Sequence, residues 1–184
     1  MAFPEDLLEL AQQIADLHPA TAHQASLRRA VSTAYYALFH LLITEATANW
    51  ARPELRATLG RCFDHGPMKT ASQQMVAQID NDLKTNSLKG PARTVAVHLR
   101  TVANAFIQAQ QRRNDADYRT DKEWTPVEVA TNIASVAEAF RSWRTISGES
   151  EAQAFLVSLL GLRERRTSEP RTAMLAESKK PHRR

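Results

Sequence analysis

The sequence predicts an all-α bundle on three observations. Apolar residues recur at three- and four-residue steps through most of the chain. No segment alternates polar and apolar residues over the length of a strand. The periodic segments are rich in alanine, and only 5 glycines fall among 184 residues, so breaks are few. This helical organisation covers residues 1–164. Residues 165–184 are rich in Arg, Ser, Glu, Pro and Lys and lack periodicity, so a disordered basic tail is expected.

The first helix runs over Pro4–Leu17, with Leu7, Leu8, Ala11, Ile14 and Ala15 on one face and Pro and acids at its start. His18-Pro19 ends it, because the residue before proline leaves the α region. Thr21 is placed to cap a long second helix reaching towards Trp50. In that helix Leu27, Val31, Ala34, Leu38, Leu41 and Leu42 form a core stripe. Arg29, Thr33, Tyr36 and His40 form a second stripe at the same steps. It carries a guanidinium, a hydroxyl, a phenol and an imidazole where an ordinary amphipathic helix presents Lys and Glu. Tyr35 and Tyr36 stand about 100° apart on the helix, so only one of them faces the core.

Pro53 opens a short helix over Glu54–Phe63, and Asp64-His65-Gly66-Pro67 reads as a break. Met68–Ile79 is a short, weakly periodic helix, and Asp80–Gly90 is a polar loop. Ala92–Asp117 is the second strong helix, with Val95, Leu99, Val102, Phe106 and Ala109 inward and Ala116 and Tyr118 continuing the stripe. Thr125-Pro126-Val127-Glu128 is a complete start signal for a helix ending near Ser147-Gly148. A last helix spans Ser150–Glu164.

Charge and cysteine content narrow the classes. The formal net charge is +4, but eight Lys/Arg against three Asp/Glu stand from Arg163 onward, which leaves 16 basic against 17 acidic residues before it. The body therefore lacks the broad basic field of a duplex-binding protein, and phosphate recognition there needs a local cluster. The lone Cys62 forms no intrachain disulfide, and its place beside Phe63 suits a small core residue. With no leader-like start, a reducing cytoplasmic setting is expected. The six histidines are scattered without zinc-site spacing, so no metal or cofactor is expected. No apolar run approaches the ~20 residues of a membrane span.

Three constellations can carry chemistry. The Arg29, Tyr36 and His40 stripe is the first; satisfying buried polar groups of other helices is its ordinary alternative. Gln110–Arg119 is the second. It gathers Arg112, Arg113, Asn114, Asp117 and Tyr118 within about two turns, with Arg113 four residues before Asp117. A solvated helix end with a surface ion pair is the alternative there. Gly60–Lys69 is the third, where Arg61, His65 and Lys69 suit a phosphate, and a turn anchored by Phe63 and Met68 is the alternative.

LRRAVSTAYYALFHLL and the later RRNDADY, in this order and on two helices, resemble the HEPN superfamily of small α-helical proteins. The resemblance spans Ala22–Tyr118 and implies an up-and-down bundle of four to five helices, usually a homodimer. Active relatives cleave RNA without metal, with Arg and His around the scissile phosphate. Others bind RNA or nucleotides without catalysis, or pair as toxins with nucleotidyltransferase-type or other antitoxin partners. By position, Arg113 and Asn114 match the Arg-polar start of the family motif. The motif histidine does not carry over: after a gap of four to six residues stand Tyr118, Arg119 and Thr120. Tyrosine is a poor general base at pH 7, with a pKa near ~10. The resemblance thus implies an RNA- or nucleotide-binding module, or a ribonuclease whose imidazole comes from His65 or His40. A non-catalytic interaction bundle is the third expectation.

Overall fold

Thirteen of the 25 residues of one helix, Gln24–Ala48, are buried, and between Ala30 and Leu42 only Tyr36 and His40 are not. A helix buried on nearly every face sits at the centre of its fold. The computed structural model describes residues 3–16 and 23–161. Among them are seven helices and no strand: α1 (Phe3–Asp16), α2 (Gln24–Ala48), α3 (Pro53–Gly60), α4 (His65–Lys84), α5 (Gly90–Tyr118), α6 (Pro126–Ile146) and α7 (Ser150–Ser158). Five are long, and α3 and α7 have 8 and 9 residues. The all-α expectation holds. Thr21, His18-Pro19 and the tail lie outside the described residues. No helix among those described is long and apolar enough to cross a membrane.

Contacts between side chains fix the directions. Ser32 meets Asp117 and Tyr36 meets Arg113, so α2 and α5 run antiparallel. Arg100 pairs with Asp80 and Gln110 bonds the His65 carbonyl, so α4 also opposes α5. Arg112 meets Asn132 and His98 meets Ser142, which makes α6 antiparallel to α5 as well. Arg144 of α6 reaches Glu5 at the start of α1. The predicted apolar stripes of α2, α5 and α6 pack together, with Tyr35, Phe106, Phe140, Trp143 and Phe155 fully enclosed. Burial of such side chains contributes roughly 1.5–3 kcal/mol each.

The start of α6 is the predicted one. Thr125 Oγ1 accepts from the Glu128 amide at 3.2 Å, and Glu128 Oε2 accepts from the Thr125 amide at 2.9 Å. α4 differs from expectation at both ends. Asp64 is its extended N-cap, and His65-Gly66-Pro67 is its first turn rather than a break. Proline is tolerated there because the first amides of a helix have no partner to lose. At the far end the helix continues through Asp80 to Lys84. Asn86 stops it with a φ of 53°, while the Asn86 and Ser87 amides bond back to Leu83 and Asp82. Asparagine in the left-handed region closes a helix as glycine does. Cys62 is exposed instead of lying in the core, whereas its neighbours Phe63 and Met68 are buried as expected.

Candidate functional site: an arginine framed by two tyrosines and a histidine

The antiparallel crossing of α2 and α5 brings the two distant motifs together, and the first turn of α4 closes one side. Arg113 is the centre. Its Nη2 donates to the Tyr36 hydroxyl at 3.0 Å and its Nη1 to Asn114 Oδ1 at 3.2 Å. Its Nε lies 2.7 Å from Asp117 Oδ2. That last contact is ionic, since the Nε–H is not aligned with the carboxylate. Asp117 is itself anchored, accepting from Ser32 Oγ at 2.6 Å. The Arg113 guanidinium lies 5.7 Å from the Tyr36 ring centroid and 5.5 Å from that of Tyr118. The Arg113 side chain is 19% exposed, which rules out a solvated helix end. Burial works against its charge, but the Tyr36 hydrogen bond and the Asp117 carboxylate outweigh burial and hold Arg113 firmly protonated.

His65 stands at the first position of α4. Its Nδ1 is 2.5 Å from the Tyr35 hydroxyl, its ring lies 4.4 Å from that of Phe39, and its carbonyl accepts from Gln110 Nε2 at 2.9 Å. Burial, and then the charge of Arg113, pull its pKa below 6.5, against the opposing pull of Asp64. His40 packs between Phe3 and Phe39, with its ring 6.4 Å from that of Tyr36. Burial, and then His65, lower its pKa as well. Both imidazoles are therefore neutral at pH 7. Tyr35 is fully buried; desolvation first and Tyr36 second push its pKa far above the ordinary phenol value.

Seven of the sequence candidates thus converge: Arg113, His65, His40, Tyr36, Asn114, Asp117 and Tyr118. Three go elsewhere. Arg112 reaches across to Asn132 of α6 at 3.0 Å. Arg61 turns back on Thr58 of α3, and Arg29 is an exposed residue of α2's first two turns. Thr33, expected on the same stripe, is buried and donates to the Arg29 carbonyl at 2.8 Å. Tyr118 is 71% exposed and does not continue the core stripe, because α5 ends there and the ring lies against Arg113.

Sequence reasoning missed Tyr35, Ser32, Gln110 and Arg28. Arg28 Nη1 donates to the Ala116 carbonyl at 2.8 Å and its Nη2 to the Lys122 carbonyl at 2.5 Å, closing the end of α5 just beyond Arg113. A cation at a helix C-terminus is a recognised pattern, but here it comes from 88 residues away. Two of the five N–H donors of Arg113 are committed to Tyr36 and Asn114. The arrangement can take an anionic oxygen at a fixed guanidinium flanked by aromatic faces and a neutral imidazole. No family model, curated protein or solved structure matches the chain.

Proposed function

We propose that the chain is a HEPN-type helical module that binds RNA or a nucleotide through phosphate at the crossing of α2 and α5. One observation carries this reading: Arg113 is brought beside Tyr36 of α2 and within the electrostatic reach of His65 of α4. In this reading His65 stands in for the histidine that the RRNDADY segment lacks. Tyr36 and Tyr118 offer ring faces for stacking bases, and Arg113 takes the phosphate. A homodimer and a toxin–antitoxin or defence role belong to the same reading and rest on the resemblance alone, while a cytoplasmic setting rests on the lone cysteine. Fluorescence polarisation of a short labelled RNA in EDTA tests it. Binding that weakens about tenfold in Arg113→Gln supports it. Absence of RNA and nucleotide binding by the intact chain overturns it and leaves the polar network as a tie between helices.

A second reading, a metal-independent endoribonuclease, is favoured by two neutral imidazoles, that of His65 within the electrostatic reach of Arg113 and that of His40 on the other side of Tyr36. A neutral imidazole is the form able to accept a proton from a ribose 2′-hydroxyl. Cleavage of a mixed RNA pool in EDTA, lost in His65→Ala or His40→Ala, supports it.

A further inference from the structure

The Tyr35–His65 contact joins a fully buried phenol to a partly buried imidazole, and the chemistry of its two partners decides what His65 can do. We infer that Tyr35 is a positioning residue that holds His65 as a neutral hydrogen-bond donor, with the ring proton on Nε2 for an anionic phosphate oxygen. The inference rests on the proposed phosphate-binding reading and assigns one residue's role within it.

Tyr35 is fully buried, and its hydroxyl has one hydrogen-bond partner among the described residues, His65 Nδ1 at 2.5 Å. A phenol carries one donor and two lone pairs. Leaving a buried O–H proton without an acceptor costs more than leaving a lone pair unused. The hydroxyl therefore donates and Nδ1 accepts. A neutral imidazole accepting at Nδ1 carries its proton on Nε2. Phe39 packs against the ring at 4.4 Å, and Gln110 ties the His65 backbone, so the ring has little freedom to turn over. Arg113 and His40 approach from α5 and α2, and Asp64 precedes it in the chain. Arg113 opposes a second proton on the ring, which favours the neutral donor.

The consequence concerns the choice between binding and cleavage. With its Nδ1 lone pair taken by Tyr35 and its Nε2 protonated, His65 is equipped to donate to phosphate and poorly equipped to accept a proton. The imidazole free to act as a base is then His40, whose ring packs against aromatic neighbours and makes no hydrogen bond among the described residues.

Long-range nitrogen–proton NMR of the uniformly labelled full chain, at a pH above the histidine titrations, reads the tautomer directly. His65 signals are assigned by their loss in His65→Gln. The expected result is a protonated Nε2 and a hydrogen-bonded, unprotonated Nδ1. Tyr35→Phe removes only the hydroxyl; it should shift Nδ1 and mix the tautomers while the amide spectrum of α6 stays unchanged. A proton on Nδ1 in the intact chain, or a His65 spectrum indifferent to Tyr35→Phe, overturns the inference. Binding of a short RNA supplies the second readout. His65→Gln keeps a donor amide near Nε2 and should bind within about threefold of the intact chain, while His65→Ala loses about tenfold. Equal losses in the two variants also overturn it. An intact chain that binds no RNA but shows the Nε2–H tautomer refutes the phosphate-binding reading and leaves the Tyr35–His65 assignment standing.

Discussion

Tyr36 of α2 accepts a hydrogen bond from Arg113 of α5 across 77 positions of sequence. It is the point where the two segments that resemble a family motif meet in space. The bond does two things. It aims the guanidinium, and it stabilises charge at a half-buried position.

Tyr36→Phe keeps the ring and removes that acceptor. A hydrogen bond to a charged group contributes about 1.5–3 kcal/mol. Partial exposure of the site puts the expected loss at about 1–2 kcal/mol, measured as a lower urea midpoint with an unchanged slope. Weakened RNA binding should accompany it.

Arg28→Met should cost about 1–3 kcal/mol in the same denaturation measurement, because it strips donors from the carbonyls of Ala116 and Lys122. It should also weaken RNA binding, since the end of α5 carries Arg113 and Asp117. Arg141→Gln, which removes only an exposed pair with Glu138, should change stability by less than ~0.5 kcal/mol.

The histidines set a pH dependence of defined sign. His40 and His65 have folded-state pKa values below 6.5, with burial the first cause of each. The unfolded chain thus binds protons that the folded chain resists. Stability from this source is complete above about pH 6.5 and is lost as the pH falls through the lower folded values. Unfolding free energies measured from pH 7.5 to 5 should decline in the intact chain. The double variant His40→Gln, His65→Gln should decline less, and an identical slope would contradict the assignment.

Asn86 closes α4 in the left-handed region. Asn86→Gly should be neutral or stabilising, and Asn86→Ala should lose about 1 kcal/mol. Equal stabilities would show that α4 ends elsewhere.

The helices were legible where periodicity is strong. The apolar stripes of α2, α5 and α6 and the Thr125–Glu128 capping box follow from sequence alone. α4 was legible only in its middle. Gly66-Pro67 has the composition of a break, but a first turn accepts proline, and the polar run from Asp80 stays helical until Asn86 stops it. At the site, the Arg113–Asp117 pair is written in its four-residue spacing. The partnership of Arg113 with Tyr36 and that of Tyr35 with His65 are not. Both depend on helices crossing in three dimensions, and no local spacing encodes a crossing. Tyr35 was further hidden by its neighbour, since adjacent tyrosines leave open which one is buried.

The central claim is that phosphate binds at Arg113 and not through general positive charge, which the chain also carries beyond residue 162. Affinity for a short labelled RNA in EDTA, compared among the intact chain, Arg113→Gln and Arg141→Gln, tests it most directly. Each variant removes one positive charge, and Arg141 lies on α6 near the level of His98, about 22 Å along α5 from Arg113. The account predicts about a tenfold loss for Arg113→Gln and less than about a twofold loss for Arg141→Gln. Equal losses, or no binding by the intact chain, would contradict it.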